Sequence, residues 1–154
     1  MIENRYEDVE AANYRAAAGN NAADQELGER VYTSRLIGQN PDLLMHGGGN
    51  TSVKVQRADL FGKIRDVLHV KGSGWDLDVI EAPGLPGVWL EPLTRLRGLD
   101  SLSDESMVNY QRSNLLNSLT QFLISRIITS RCTIVSSLNI LIPILDHLYP
   151  RLIN

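Results

Sequence analysis

The sequence predicts an α/β domain over residues 1–118. Three observations carry that reading: a helix-length stretch with apolar residues at helical spacing, two short strand-like runs separated by a turn, and two Gly/Ser-rich loops placed just before and just after those runs.

The elements follow in order. Ala22 to Leu36 places Leu27, Val31, Tyr32 and Leu36 on one helical face. Asp24 and Glu26 lie near its start, where the helix dipole favours anions. Asn40-Pro41 ends it, because a proline disfavours the α region for the residue before it. Thr51 to Arg57 alternates Thr51, Val53 and Val55 against Ser52, Lys54 and Gln56, the pattern of a half-buried strand. Phe61-Gly62 supplies a turn, and Asp66 to Val70 makes a second strand, so the pair is expected to form a hairpin. Pro83, Gly84, Pro86 and Gly87 mark a loop before a short extended stretch, Val88 to Glu91. Two helices are expected after it, Leu93 to Leu99 and Asp104 to Leu116, the second capped by Ser103.

Composition narrows the function classes. The 154 residues carry a net charge of -3, with 21% charged and 43% apolar residues. That balance excludes a disordered chain and offers no basic stripe to track nucleic acid. Cys132 is the single cysteine, so no internal disulfide framework or thiolate metal cluster is expected. The N-terminus has no basic segment followed by an apolar one, and a cytoplasmic location is the expectation.

The chain changes character after residue 118. Residues 119–154 contain no Gly, Ala, Lys or Glu, and 15 of the 36 are Leu or Ile. The longest uncharged run there, Cys132 to Leu145, is 14 residues with Pro143 inside it, too short for a membrane span of about 20 residues. No clean periodicity of either kind runs through the segment. It is expected to be a divergent apolar tail that is not natively folded, leaving 1–118 as the domain proper.

The chemistry concentrates in the two loops. His46-Gly47-Gly48-Gly49-Asn50-Thr51-Ser52 places three glycines and short polar side chains directly before a strand. Such a loop permits positive φ and presents bare backbone N–H groups to an anion such as phosphate. It is not a P-loop, lacking Gly-Lys-Ser/Thr, nor a dinucleotide fingerprint, since a strand follows. Lys71-Gly72-Ser73-Gly74-Trp75 follows the second strand, so a hairpin brings both loops to one end, where Lys71 adds charge. The three histidines, His46, His69 and His147, form no His-x-His or His-x-x-x-His pair. His69, within a strand, reads as a structural histidine, because a metal site needs several converging ligands.

On these residues the sequence resembles the class II aldolase/adducin family, in particular the aldolase half of bifunctional rhamnulose-1-phosphate aldolase/short-chain dehydrogenase proteins. The likeness rests on Asn4 to Tyr6, Arg30 to Leu36, His46 to Lys54, Val70 to Leu77 and Leu102 to Asn109, in that order along residues 4 to about 117. The resemblance implies an α/β/α layered domain with a mostly antiparallel central sheet, of which this chain holds the N-terminal part. It implies that Gly49, Asn50, Ser52, Ser73 and Gly74 cradle a substrate phosphate. It also implies a homo-oligomeric zinc enzyme that cleaves a ketose 1-phosphate, such as rhamnulose 1-phosphate, to dihydroxyacetone phosphate and lactaldehyde. In that chemistry Zn²⁺ on three histidines, two in a His-x-His, stabilises an enediolate, and a glutamate in a Pro-Ser-x-Glu-type segment moves the proton. The alternative within the same fold is a non-catalytic adducin-like interaction domain.

Neither the His-x-His nor the glutamate segment follows residue 118. The chain is therefore expected to lack metal ligands and catalytic residues, to hold no zinc, and to be an inactive, truncated product. A shifted reading frame would explain both losses. Reading each new codon from the third base of an existing one lets Phe122/Leu123 encode Pro, Ser125/Arg126 encode Glu, Cys132/Thr133 encode His, and Ile140 to Ile144 encode Ile-Asp-Thr-His, one residue short of the Asp-His-Thr-His that the family has at about that point. The nucleotide sequence decides that point. For the tail itself, limited proteolysis is expected to cut after Arg126 or Arg131 well before it cuts between residues 50 and 75. Equal protection of the two regions would make the tail a packed element.

Overall fold

A computed structural model describes residues 4–44 and 48–116. The expected tail over 119–154, with Cys132 and His147, and also His46 and Gly47, lie outside the described residues.

A first helix, α1 (Asp8–Ala18), precedes those expected from the sequence. Its inward side is small, with Ala11 buried and Tyr14 partly so, which is why no large-residue period announces it. The helix forms on alanine's intrinsic propensity, with Asp8 and Glu10 in the first turn and Arg15 in the last, complementing the dipole. Helix α2 (Ala22–Gly38) follows, and the Asn21 side chain caps it by accepting from the Ala23 N–H at 2.9 Å. The two helices pack closely at Gly28. A Cβ built there would fall 2.6 Å from the Tyr14 carbonyl oxygen and 2.7 Å from the Ala18 Cβ, so no larger residue fits without separating them. Polar ties reinforce the contact: Arg15 pairs with Glu29 at 2.7 Å, and Tyr32 accepts the Glu7 N–H at 2.9 Å.

The expected hairpin is present. Strands β1 (Ser52–Ala58) and β2 (Ile64–Val70) pair antiparallel, from Ser52 opposite Val70 to Ala58 opposite Ile64. Its turn is fixed by Asp59, whose carboxylate accepts from the N–H groups of Phe61 at 2.9 Å and Lys63 at 3.0 Å. Strand β3 (Gly87–Trp89) pairs antiparallel with β2, giving a three-stranded sheet in the order β1-β2-β3. The described part is thus α/β with an antiparallel sheet, as expected.

Helix α2 runs two residues past the expected Leu36, β1 is shifted by one residue and β2 starts two residues before the expected Asp66; the larger differences follow β2. The extended stretch expected to reach Glu91 stops at Trp89, because α3 (Leu90–Arg95) starts at Leu90 and holds Pro92 in its first turn, where a missing N–H costs no hydrogen bond. The helix expected over 93–99 is α3 together with a 3-10 turn, Leu96–Gly98. Helix α4 (Asp104–Ser113) is capped by Ser103 as expected, its hydroxyl accepting from the Ser106 N–H at 3.2 Å, but it ends before Leu116. The sheet takes the next residues: the Asn114 carbonyl accepts from Trp89 N–H, Leu116 N–H donates to the Gly87 carbonyl, and Leu115 bridges Val88 antiparallel.

Two apolar clusters flank α2. Leu27 and Val31 pack with Leu77, Ile80 and Leu85 of the segment between β2 and β3, while Ala23 packs with Val55 and Val67 of the sheet. Among the described residues no helix is long and apolar enough to cross a membrane.

His69 is a core histidine, as its strand position implied. It is 4% exposed, and its Nδ1 lies 2.7 Å from the Leu85 carbonyl oxygen, so Nδ1 carries the proton and donates. Nε2 is buried without a hydrogen-bond partner. Burial holds its pKa below the usual 6.5, and the nearby Arg57 charge acts in the same direction, against opposing pulls from the Leu85 carbonyl and Asp24. The unfolded chain therefore binds this proton more readily than the native one. Stability is full above pH 6.5 and is lost as pH falls below that value toward the folded-state pKa. Urea unfolding at pH 7.5 and 5.5 should show a lower midpoint at the acid end. In His69→Asn, which keeps a donor toward Leu85 but does not titrate, that loss should shrink.

Candidate functional site

The two Gly/Ser loops meet at the end of the hairpin where β1 begins and β2 finishes. With Ser52 opposite Val70, the next pair outward is Thr51 and Lys71, and the Lys71 N–H donates to the Thr51 carbonyl at 2.9 Å. The first loop therefore enters the sheet where the second leaves it. A second contact lies at Gly49, whose φ is 78°. A Cβ there would fall 2.6 Å from a Leu44 methyl and 2.8 Å from a Leu77 methyl, so the bare Gly49 backbone rests on both side chains. Leu77 belongs to the segment that continues the second loop, and it is buried in the α2 cluster.

The second loop is anchored at both ends. Gly72 N–H donates to the Gly84 carbonyl at 2.8 Å, tying it to the 3-10 turn Ala82–Gly84. The Trp75 ring covers Gly84, where a Cβ would fall 2.7 Å from the ring. Between these anchors Ser73 and Gly74 form a turn, with Gly74 at φ 86° and facing open space.

All five residues read from the sequence thus sit on one end of the hairpin: Gly49, Asn50 and Gly74 exposed, Ser52 and Ser73 half-buried. The Asn50 carboxamide oxygen accepts from the Thr51 N–H at 2.9 Å, so this side chain shapes its own turn with its acceptor end. Its donor end is the one suited to an anion. Lys71 is half-buried, and loss of hydration around its ammonium lowers its pKa from 10.5, partly offset by Asp76. An anion at this end of the hairpin would relieve that cost.

Sequence reasoning missed what holds the first loop from behind. Ser34 of α2 is fully buried, 0% exposed, and its hydroxyl lies 2.6 Å from the Arg30 carbonyl oxygen and 3.1 Å from the Thr51 hydroxyl. The signal was present: Ser34 stands on the stripe of Leu27 and Val31, and a hydroxyl on a buried stripe needs a hydrogen-bond partner.

The described residues do not fit a zinc site. No three His, Cys, Asp or Glu side chains among them converge, and the one described histidine, His69, is buried with Nδ1 committed to a backbone carbonyl.

The fold has a counterpart among solved structures. The chain is 36% identical to the N-terminal class II aldolase domain of a conserved protein from Thermoplasma acidophilum, with a TM-score of 0.58 over 76% of this chain and 49% of that structure. The fold is class II aldolase-like. The chain is also 39% identical over 90 residues to a Bacillus subtilis (strain 168) protein described as an uncharacterized oxidoreductase, YuxG. That match covers 58% of this chain and only 13% of the Bacillus protein. The chain thus spans about half of the aldolase domain and a small share of the larger relative. No protein-family model matches it.

Gly49 is a position in the first loop where a side chain is costly. Gly49→Ala would force a Cβ onto a left-handed residue, about 1–2 kcal/mol, and against Leu44 and Leu77 as well. Thermal unfolding should show a loss of at least that size, whereas Gly74→Ala, equally left-handed but facing open space, should lose less.

Proposed function

We propose that this chain is the phosphate-binding, N-terminal part of a class II aldolase domain, and that its ligand class is a ketose 1-phosphate. The observation that carries the reading is the hydrogen bond from the Lys71 N–H to the Thr51 carbonyl, which joins two Gly/Ser loops at one hairpin end. In this reading Gly49 and Gly74 leave backbone N–H groups open to phosphate oxygens. Asn50, Ser52 and Ser73 donate from their side chains, and Lys71 supplies the compensating charge. Such a cradle fixes the phosphate end of a sugar and so orients its carbonyl carbons.

The 36% identity to a class II aldolase domain supports extending the reading to the reaction of the complete protein. That reaction is retro-aldol cleavage of rhamnulose 1-phosphate, or a similar ketose 1-phosphate, to dihydroxyacetone phosphate and lactaldehyde. Zn²⁺ would supply the electrophilic stabilisation there. The layered α/β/α architecture, homo-oligomeric assembly and cytoplasmic location belong to the same proposal. So does a place within a longer aldolase/oxidoreductase chain, which accords with the small share of the Bacillus relative that is matched.

The chain contains neither a His-x-His nor a Pro-Ser-x-Glu, and we assign it binding without turnover. With rhamnulose 1-phosphate and added Zn²⁺ it should form no dihydroxyacetone phosphate. Chelator-sensitive product would contradict the assignment.

Binding is tested by calorimetry with rhamnulose 1-phosphate and with rhamnulose. Asn50→Ala and Ser73→Ala should each weaken the phosphorylated ligand selectively. A hydrogen bond to a charged group is worth about 1.5–3 kcal/mol, roughly tenfold or more in affinity. Equal losses for both sugars, with a lowered melting temperature, would make the loops scaffold and would favour an adducin-like interaction domain.

A further inference from the structure

We propose that Thr51 is the positioning residue for both loops of the candidate site, and that Ser34 of α2 is the post on which it is set. The inference rests on the phosphate reading of those loops and adds to it a device outside the ligand's reach.

Thr51 makes three bonds in three directions. Its N–H donates to the Asn50 side chain at 2.9 Å, which fixes the carboxamide plane. Its carbonyl accepts from the Lys71 N–H at 2.9 Å, which fixes the first residue of the second loop. Its hydroxyl is 3.1 Å from that of Ser34. Ser34 has one proton, and the shorter contact, 2.6 Å to the Arg30 carbonyl, takes it, so Thr51 is the donor in the hydroxyl pair. Ser34 is fully buried in the helix that contributes to both apolar clusters, so this bond ends on a packed part of the core.

The consequence is a chain of reference from core to site. The α2 backbone at Arg30 sets the Ser34 hydroxyl, Ser34 sets the Thr51 side chain, and Thr51 sets Asn50 on one loop and Lys71 on the other. Valine at residue 51 would keep the shape and suit a strand, but it would remove the link to α2. The Asn50 and Lys71 backbones would then lose their polar tie to the helix while the hairpin ladder from Ser52 to Ala58 stayed paired.

The test uses the full chain and its Thr51→Val, Thr51→Ser, Ser34→Ala and Thr51→Val/Ser34→Ala variants, with inorganic phosphate as the probe. Both single variants that break the link should weaken phosphate about threefold to tenfold, the range for one neutral hydrogen bond. The double variant should lose little more, since both changes remove one bond. Thr51→Ser should bind as the parent does. Amide hydrogen exchange supplies a readout that needs no ligand: Lys71 should exchange faster in Thr51→Val and Ser34→Ala, while Val55 and Val67 in the sheet keep their protection. A uniform fall in protection at all three would reduce Thr51 to ordinary stability and overturn the inference. So would additive losses in the double variant, or unchanged phosphate affinity in Thr51→Val. Failure of the parent chain to bind phosphate would instead count against the phosphate reading, and the exchange pattern would still decide whether Thr51 positions the loops.

Discussion

The register of the β1–β2 hairpin is the constraint on which the rest depends. Val55 opposite Val67 and Val53 opposite His69 put Val53, Val55 and Val67 on the face that meets Ala23 of α2, while Leu68, opposite Lys54, is buried on the other face. A slip of one residue would turn Val55 and Val67 outward and present Lys54 or Asp66 to the core. Because that cost fixes the register, it also fixes Thr51 opposite Lys71, and hence which two loops become neighbours. The candidate site inherits its geometry from a hydrophobic preference several residues away.

Helix α2 turns that register into a rigid platform. It buries Ala23 against the sheet and Leu27 and Val31 against the segment from Leu77 to Leu85, so both loops run between elements that pack on one helix. Helix α1 backs it through the close approach at Gly28, and Arg35 reaches from α2 to the Ile80 carbonyl at 2.7 Å. Ser34 and Arg35, the α2 side chains that reach toward Thr51 and the segment after the second loop, are both hydrogen-bonded. Such an arrangement suits preorganised binding, in which donors hold their positions before the anion arrives.

The parts that were legible in the sequence are those with large residues and a clear period. β1 declared itself because Val53 and Val55 alternate with Lys54 and Gln56, and α2 because Leu27, Val31 and Tyr32 share a face. The loops were legible as glycines beside short polar residues, a local property of the chain. Helix α1 was not, because its inward residues are alanines and a tyrosine. The end of α4 was not either: Asn114 to Leu116 have no strand pattern of their own and leave the helix because β3 offers its edge. The Ser34–Thr51 link spans 17 positions and depends on how α2 lies over β1, so the sequence could mark Ser34 only as a hydroxyl out of place.

The central claim is that the two loops form one anion site because the hairpin joins them. An amide NMR titration of the full chain with inorganic phosphate, against chloride at matched ionic strength, tests it most directly. The account predicts that Gly49, Asn50, Ser52, Ser73 and Gly74 shift together along a single binding isotherm, while amides at the opposite hairpin end, Phe61 to Lys63, stay still. Shifts confined to one loop, or two isotherms with different midpoints, would contradict it.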